Sequence, residues 1–152
     1  MKKNKISKNW IIKQKRDIYV KQSKIEGYRS RAVYKLQEIN NKFNVIKNGI
    51  SVIDLGAAPG SWSQFISRKF KNTKIVAIDL KEMEAIDNTL QIKGDFTDEI
   101  QQKKIMEYFG KKIHVVISDM AVNTTGNKNL DSLVTGELSL KALSFSSKIL
   151  EI

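Results

Sequence analysis

The sequence predicts an α/β fold built on a doubly wound, mainly parallel sheet. Four short runs rich in β-branched residues are apolar without alternation, which is typical of strands buried on both faces. They lie at residues 50–55, 74–79, 90–92 and 113–119. Stretches with helical spacing of apolar residues separate the runs, which favours right-handed crossovers between parallel strands. A glycine-rich turn follows the first run, at the sheet edge where such folds bind ligands.

Helices are predicted before, between and after these strands. A first amphipathic helix, over about 10–25 and ending near Gly27, is indicated by isoleucines spaced every seven positions: Ile11, Ile18 and Ile25. A second helix is expected to begin near Ser30, whose hydroxyl is suited to capping it, with an apolar face of Val33, Leu36 and Ile39. Three later helices are expected: one bearing Trp62, Phe65, Ile66 and Phe70, one over about 98–109, and one from about 131 to the chain end.

Composition excludes several classes of protein. The chain has 152 residues, which suggests one domain, with no Cys and a single His. A disulfide scaffold, a thiolate zinc site and a cysteine nucleophile are therefore excluded, and we expect no metal site. No apolar run approaches the roughly 18 residues that cross a bilayer, and no secretion signal is visible. We expect a soluble, cytoplasmic monomer without a membrane partner.

The charge is concentrated in the first third of the chain. Residues 1–49 carry 14 Lys and Arg against 3 Asp and Glu, whereas residues 50–152 carry 13 of each. We interpret 1–49 as a basic helical extension and 50–152 as the α/β domain, together forming one structural unit. Such a basic segment indicates a polyanionic partner, either nucleic acid or an anionic membrane. A solvated Lys-rich tail is the alternative.

Four carboxylates are predicted to share one rim of the sheet. Asp54 lies just inside the first strand, and Asp79, Asp95 and Asp119 lie at or just past the ends of the others. Asp79 follows Gly56 by 23 residues, which matches a carboxylate that binds ribose hydroxyls in nucleoside-binding folds.

The glycine turn narrows the ligand class. The turn at 56–60 lacks both the G-x-G-x-x-G spacing of dinucleotide sites and the G-K-[ST] ending of triphosphate sites. A nucleoside without phosphates suits a rim of carboxylates better, and S-adenosylmethionine is such a nucleoside with positive sulfonium and ammonium groups. Asp119 would attract a sulfonium and repel a pyrophosphate.

Several blocks of the sequence resemble the FtsJ/RrmJ-type RNA 2′-O-methyltransferases. In family order they are SRAVYKL at 30–36, DLGAAPGSWSQ at 54–64, GDF at 94–96 and SDMAVNTTG at 118–126. The resemblance extends from about residue 10 to the chain end. It is closest to the type that methylates large-subunit ribosomal RNA, so it implies a Rossmann-like methyltransferase fold acting on a uridine of that RNA, with the large ribosomal subunit as partner.

The resemblance also implies site residues. S-adenosylmethionine would be bound by the turn glycines Gly56 and Gly60, by the backbone of Trp62, and by Asp79 at its ribose and Asp95 at its adenine. Asp119 would lie between cofactor and catalytic centre. Lys35 and Asp119 would be the first two members of a catalytic Lys-Asp-Lys-Glu tetrad.

Methyl transfer to a ribose hydroxyl needs help, because the hydroxyl is a poor nucleophile at neutral pH. A lysine ammonium can stabilise the developing charge, and a neutral lysine can remove the proton. The sequence leaves both open. Arg29 and Arg31, beside Tyr28, are candidate RNA-binding residues that could grip phosphate, with ordinary helix-surface solvation as the alternative.

Three features depart from the family pattern. Val122 stands where Pro is usual, which predicts a looser loop after Asp119, and Ser61 stands where Gly is usual, which we expect to be tolerated. The chain stops at Ile152, so the last strands, with the second lysine and the glutamate, are absent from it. We therefore expect a fragment or a truncated gene model, with the fourth strand as an apolar sheet edge.

Other functions remain open at this stage. One alternative is that the chain, in this truncated form without the second lysine and the glutamate, binds S-adenosylmethionine and RNA without catalysis. Another is methylation of tRNA or mRNA by the same family. A Rossmann oxidoreductase is disfavoured by the glycine spacing and the acidic rim.

Overall fold

The computed structural model describes residues 13, 17–110, 113–121 and 124–150. They contain one four-stranded parallel sheet in the order β3-β2-β1-β4. Its strands are β1 (Ser51–Leu55), β2 (Lys74–Asp79), β3 (Thr89–Lys93) and β4 (Val115–Ser118). The predicted parallel α/β fold is confirmed, and β4 lies at an edge of this sheet, as expected.

The burial of the central strand β1 explains why its sequence is apolar without alternation. All five of its residues are buried, because β2 and β4 flank it and helices cover both faces. Its pairing with β2 runs from Ser51–Lys74 to Leu55–Ile78, and its pairing with β4 runs from Val52–Val115 to Leu55–Ser118. This register aligns the carboxyl ends of three strands at one rim.

Two helical layers cover the sheet. The helices are α1 (Ile18–Ile25), α2 (Val33–Phe43), α3 (Ser61–Lys69), α4 (Glu99–Phe109) and α5 (Lys128–Ile149). On one face, side chains of α2 and α3 pack against Val52 and Ile75; on the other, side chains of α4 and α5 pack against Ile53 and Val76. The doubly wound arrangement is therefore confirmed. No helix in the described part of the chain is both long enough and apolar enough to span a bilayer.

The apolar stripe predicted for the first helix is wrong. Within the described residues α1 begins after Asp17, whose carboxylate accepts the Tyr19 amide and caps the helix. Ile18 is 69% exposed and Ile25 is 86% exposed. The helix instead buries Ser23, and the Tyr19 ring lies 5.5 Å from the Tyr34 ring of α2. Regular spacing identified a face but not the face that packs. Residues 10–12 and 14–16 of the predicted helix lie outside the described residues.

The second helix begins later than expected, and one residue of its predicted apolar face is exposed. It begins at Val33; the Ser30 hydroxyl accepts from the Ala32 amide, at 3.3 Å, and from no amide within the helix, so Ser30 is not its cap. Val33 and Leu36 are buried as predicted, but Ile39 is 41% exposed. Asn40 is buried instead, because its side-chain amide bonds both the N–H and the C=O of Ile46 and closes the following turn.

Candidate active site

The glycine turn after β1 places backbone directly beside the loop after β4. Gly56 has φ +68°, and the amides of Gly56 and Ala57 donate to the carbonyl of Ile78, at 2.8 and 3.1 Å. A Cβ on Gly56 would lie 2.0 Å from Cγ of Met120. Position 56 therefore requires glycine both for its left-handed backbone and for the approach of the residue that follows Asp119.

Asp79 ends β2 and is held by backbone amides. One carboxylate oxygen accepts the Ala58 amide at 3.0 Å, and the other accepts the Lys81 amide at 2.8 Å. Each oxygen of a carboxylate can accept two hydrogen bonds, so both retain capacity for a ligand hydroxyl. The half-buried carboxylate thus ties the glycine turn to β2 and faces the space between them.

A cavity of about 480 Å³ opens at this rim. Its polar lining includes four of the predicted residues: Gly56, Asp79, Asp95 and Asp119. Its apolar lining includes Leu80, Phe96, Met120 and Leu138. Asp95 is held in place by the amide and the hydroxyl of Thr97, at 2.8 and 2.7 Å. Apolar walls with convergent carboxylates suit a nucleoside that carries positive charge, and they disfavour a phosphate.

Asp54 lies beneath this rim rather than on it. Its carboxylate is 2% exposed and accepts a hydrogen bond of 2.8 Å from the Ser63 hydroxyl of α3. Burial raises the pKa of Asp54 to about 7; the Ser63 hydrogen bonds oppose this rise, and the nearby charges of Asp119 and Asp79 add to it. Asp54 therefore supports the turn from inside and carries a proton far more readily than an exposed acid.

Lys35 and Asp119 form an ion pair at the other end of the rim. Nζ of Lys35 lies 2.8 and 3.0 Å from the two carboxylate oxygens of Asp119. The side chains are 64% and 37% exposed, so the pair contributes little to folding, at most about 1 kcal/mol. Its position is more informative than its energy, because Asp119 also lines the cofactor-sized cavity.

A groove of about 900 Å³ lies on the far side of this ion pair, between α1 and α2. Lys35 lines it, together with three aromatic and three further basic side chains: Tyr19, Tyr28, Tyr34, Lys24, Arg29 and Arg31. The Lys35–Asp119 pair therefore stands where the groove and the cavity meet.

Gly60 and Trp62 are not among the residues that line the cavity. Gly60 has φ +100° and is the N-cap residue just before α3, with its amide donating to the carbonyl of Ala57 at 2.6 Å. The Trp62 ring is buried, and its indole N–H donates to the carbonyl of Ala32 at 2.6 Å. Any cofactor contact of these two residues through their backbone stays a prediction.

The two candidate RNA-binding arginines have different partners in the structure. The half-buried Arg29 donates to three backbone carbonyls, those of Pro59, Glu84 and Ala85. The exposed Arg31 pairs with Asp17. Phosphate binding stays a prediction for both, and for Arg29 it would compete with these three hydrogen bonds.

The structure describes one of the two substituted positions that depart from the family pattern. The Ser61 hydroxyl lies 2.8 Å from the Ser30 hydroxyl, so the added side chain has a partner. Val122 lies outside the described residues.

Among the described residues no group of three His, Asp or Glu side chains is arranged to hold a metal ion.

Sequence reasoning missed parts of the site that come from distant segments. Leu138 of α5 and Met120 line the cavity, and Ser63 holds Asp54. Leu138 has no local signal at all, because α5 exposes several leucines and only packing decides which one reaches the rim.

The parallel sheet, the glycine turn and the carboxylate rim define an α/β domain of the nucleoside-binding, methyltransferase-like class. The profile of the FtsJ-like methyltransferases matches residues 28–151, and the chain belongs to this family.

Two relatives share one name, "Ribosomal RNA large subunit methyltransferase E". The one from Pelagibacter ubique (strain HTCC1062) is 64% identical over 150 residues, which cover 99% of this chain and 74% of the relative. The one from Zymomonas mobilis subsp. mobilis (strain ATCC 31821 / ZM4 / CP4) is 44% identical over 144 residues, which cover 95% of this chain and 65% of the relative. The chain thus spans about two thirds to three quarters of these relatives.

A solved structure shows the same architecture. A Plasmodium falciparum protein described as a ribosomal RNA methyltransferase superposes with a TM-score of 0.75 at 37% identity, covering 82% of this chain and 74% of that one.

Proposed function

We propose that this chain transfers a methyl group from S-adenosylmethionine to a ribose 2′-hydroxyl of large-subunit ribosomal RNA. One observation carries the proposal: the Lys35–Asp119 ion pair joins a nucleoside-sized cavity to a basic, aromatic groove. Family membership and the names of the relatives support the reaction and the RNA class.

The cavity residues fit S-adenosylmethionine. This cofactor supplies a methyl group on a positively charged sulfur. Asp79 and Asp95 both line the cavity, and we propose that Asp79 accepts hydrogen bonds from the ribose hydroxyls and that Asp95 accepts one from the adenine amino group. The negative charge of Asp119 favours the cationic end, and Gly56 lines the cavity at the turn.

Lys35 and Asp119 act on the target hydroxyl. The ammonium group of Lys35 can donate a hydrogen bond to the 2′-oxygen and stabilise the negative charge that develops on it. The carboxylate of Asp119 orients that ammonium through two hydrogen bonds and can accept the hydroxyl proton. Alignment of the two reactants adds a further contribution, up to about 7–11 kcal/mol when both are held in attack geometry.

The groove suits the approach of a single-stranded RNA segment. Tyr19 and Tyr34 offer rings on which an unstacked base can lie, and Lys24 and Arg31 offer charge for phosphates. We include residues 1–49 in the RNA-binding part and residues 50–152 in the cofactor-binding part of one unit. We also propose that the protein is cytoplasmic, where ribosomal subunits are assembled, and that it acts as a monomer.

The test uses labelled S-adenosylmethionine with three separate acceptors: large ribosomal subunits lacking ribose methylation, total tRNA and mRNA. Label in 2′-O-methyluridine of large-subunit RNA supports the proposal, and label in tRNA or mRNA alone redirects it within the family. Calorimetric binding of S-adenosylmethionine without transfer to any acceptor favours the non-catalytic module. Binding of NAD in place of S-adenosylmethionine would contradict the proposed reaction altogether.

A further inference from the structure

The loop between α1 and α2, residues 26–32, lies along the first turns of α3. Three hydrogen bonds join the loop to the helix. The Trp62 indole N–H donates to the Ala32 carbonyl, and the Gln64 side-chain amide donates to the Gly27 carbonyl. The hydroxyls of Ser30 and Ser61 form the third. This connecting loop also lines the basic groove through residues 28–32. It therefore touches both the proposed RNA side and the helix that follows the glycine turn.

Within the connecting loop, Arg29 reaches beyond α3 to the glycine turn itself. Its Nη1 donates to the carbonyl of Pro59, at 3.0 Å, and to that of Glu84, at 2.9 Å. Its Nη2 donates to the carbonyl of Ala85 at 2.7 Å. The guanidinium thus bridges the turn after β1 and the loop after β2, the two segments that flank Asp79.

The fit around Arg29 is close. A Cβ on Gly60 would lie 3.0 Å from Nη1 of Arg29 and 2.7 Å from Cδ1 of Ile86. The Arg29 amide also donates to the Gln64 side chain at 3.2 Å, which fixes the start of the arginine side chain on α3. Only a planar guanidinium offers several donors in a rigid fork, so a lysine at this position could satisfy part of the set.

We infer that Arg29 is a positioning residue for cofactor binding: it holds the glycine turn against the 84–86 segment from the N-terminal extension. The inference rests on the proposed function, because it assumes that the rim cavity binds S-adenosylmethionine. It assigns to Arg29 a task on the cofactor side in addition to any contact with RNA. The extension then helps to shape the cavity although none of its described residues, 13 and 17–49, lines it.

Arg68 provides a matched control. Its guanidinium also donates to two carbonyls of the connecting loop, those of Glu26 and Gly27, and it lies over the Tyr28 ring at 5.0 Å. It touches neither the glycine turn nor the 84–86 segment. Arg68→Ala therefore weakens the docking of the loop without removing the bridge.

The experiment measures S-adenosylmethionine affinity by calorimetry for the wild type, Arg29→Ala, Arg29→Lys and Arg68→Ala, with thermal unfolding of each. We expect Arg29→Ala to raise the Kd by at least about tenfold, and Arg29→Lys to raise it less. Arg68→Ala should stay within about twofold even where its Tm falls, because an exposed contact of this kind is worth little. In turnover assays at saturating RNA, Arg29→Ala should raise the KM for the cofactor by a larger factor than it lowers kcat.

The outcomes separate the inference from the proposed function. If the wild type does not bind S-adenosylmethionine, the proposed function fails. If the wild type binds and Arg29→Ala binds equally well, the inference alone fails. Equal losses of affinity in Arg29→Ala and Arg68→Ala would also overturn it, since the effect would then come from loop docking rather than from the bridge to the turn.

Discussion

The two halves of the candidate site are built in different ways. In the cofactor half, the carboxylate oxygens of Asp79 and Asp95 accept hydrogen bonds of 2.8–3.0 Å from nearby backbone amides. In the substrate half, Lys35 is held by Asp119, and Arg31 by Asp17, through ion pairs between side chains from separate elements. The first half is ordered by the fold, whereas the second is ordered by charges that a ligand can replace.

This difference indicates how each half would respond to its ligand. Carboxylates that are already held by backbone amides lose little further conformational freedom when a cofactor binds, so the entropic cost of binding is small. Exposed ion pairs contribute little to stability and can exchange a partner for a phosphate or a hydroxyl. Removing a side chain from the substrate half should therefore impair turnover with a stable fold, whereas removing one from the cofactor half should impair binding.

The largest expected effect is on turnover. Lys35→Ala should lower methyl transfer to large ribosomal subunits by about 10²–10⁴-fold, because the target oxygen loses its charged partner. Its cofactor Kd and Tm should stay close to those of the wild type. Lys42→Ala, a change on the exposed surface of the same helix, is the control. Near-full turnover of Lys35→Ala would remove Lys35 from the mechanism.

Asp119→Ala should impair both turnover and cofactor binding, because Asp119 belongs to both halves of the site. We expect a loss of turnover comparable to that of Lys35→Ala, together with a weaker cofactor affinity from the lost carboxylate in the cavity. A normal Kd in calorimetry would place Asp119 in the substrate half alone.

The next effect concerns stability and its pH dependence. The pKa of Asp54 is raised to about 7 in the folded chain, from an ordinary value of 3.8. Between these values the folded state binds more protons than the unfolded state, so this group makes stability fall as pH rises from about 4 to about 7.

Asp54→Asn isolates that contribution, because an asparagine oxygen can still accept the Ser63 hydroxyl. Denaturant unfolding from pH 4 to pH 8 should show a shallower decline for Asp54→Asn than for the wild type, with the variant relatively more stable at the upper end. Parallel pH curves would mean that the Asp54 carboxyl is not the group responsible.

A smaller effect tests the cofactor half, whose carboxylates are already held by backbone amides. Asp79→Ala should weaken S-adenosylmethionine binding by about 1.5–3 kcal/mol, the value of a hydrogen bond to a charged group. Asp87→Ala removes an exposed carboxylate from the loop after β2 and serves as the control. S-adenosylhomocysteine should show the same dependence, since it shares the ribose. An unchanged Kd for Asp79→Ala would refute the ribose assignment.

The smallest effect concerns the basic groove. RNA affinity should fall linearly with the logarithm of salt concentration, and Arg31→Ala should make that slope shallower by about 0.7 on single-stranded RNA. Deleting residues 1–25 should flatten the slope further without changing cofactor affinity. Lys103→Ala, on α4 outside the groove, is the control. Equal slopes for the wild type and the deletion would favour the solvated-tail alternative.

The comparison also shows which parts of the site were predictable. The strand over 74–79 and the turn at 56–60 were predicted at their observed positions, because burial on both faces and left-handed backbone leave local marks in a sequence. Asp79 and Asp95 could be placed at the rim for the same reason. Arg29 could not: its residue type indicated phosphate, and only the folded chain brings it to three carbonyls from distant segments.

By itself, then, the sequence determined the order of elements, the parallel sheet, the glycine turn and the candidate residues, since each depends on local periodicity or on a short motif. The family motifs predicted that Lys35 and Asp119 share a site, and the tertiary structure pairs their side chains across 84 positions of sequence. Tertiary structure alone decided that Ile18 and Ile39 face outward and that Asn40 is buried. The physical reason is that burial and ion pairing depend on which faces pack together, and a helix with two partly apolar faces does not specify which one the sheet will cover.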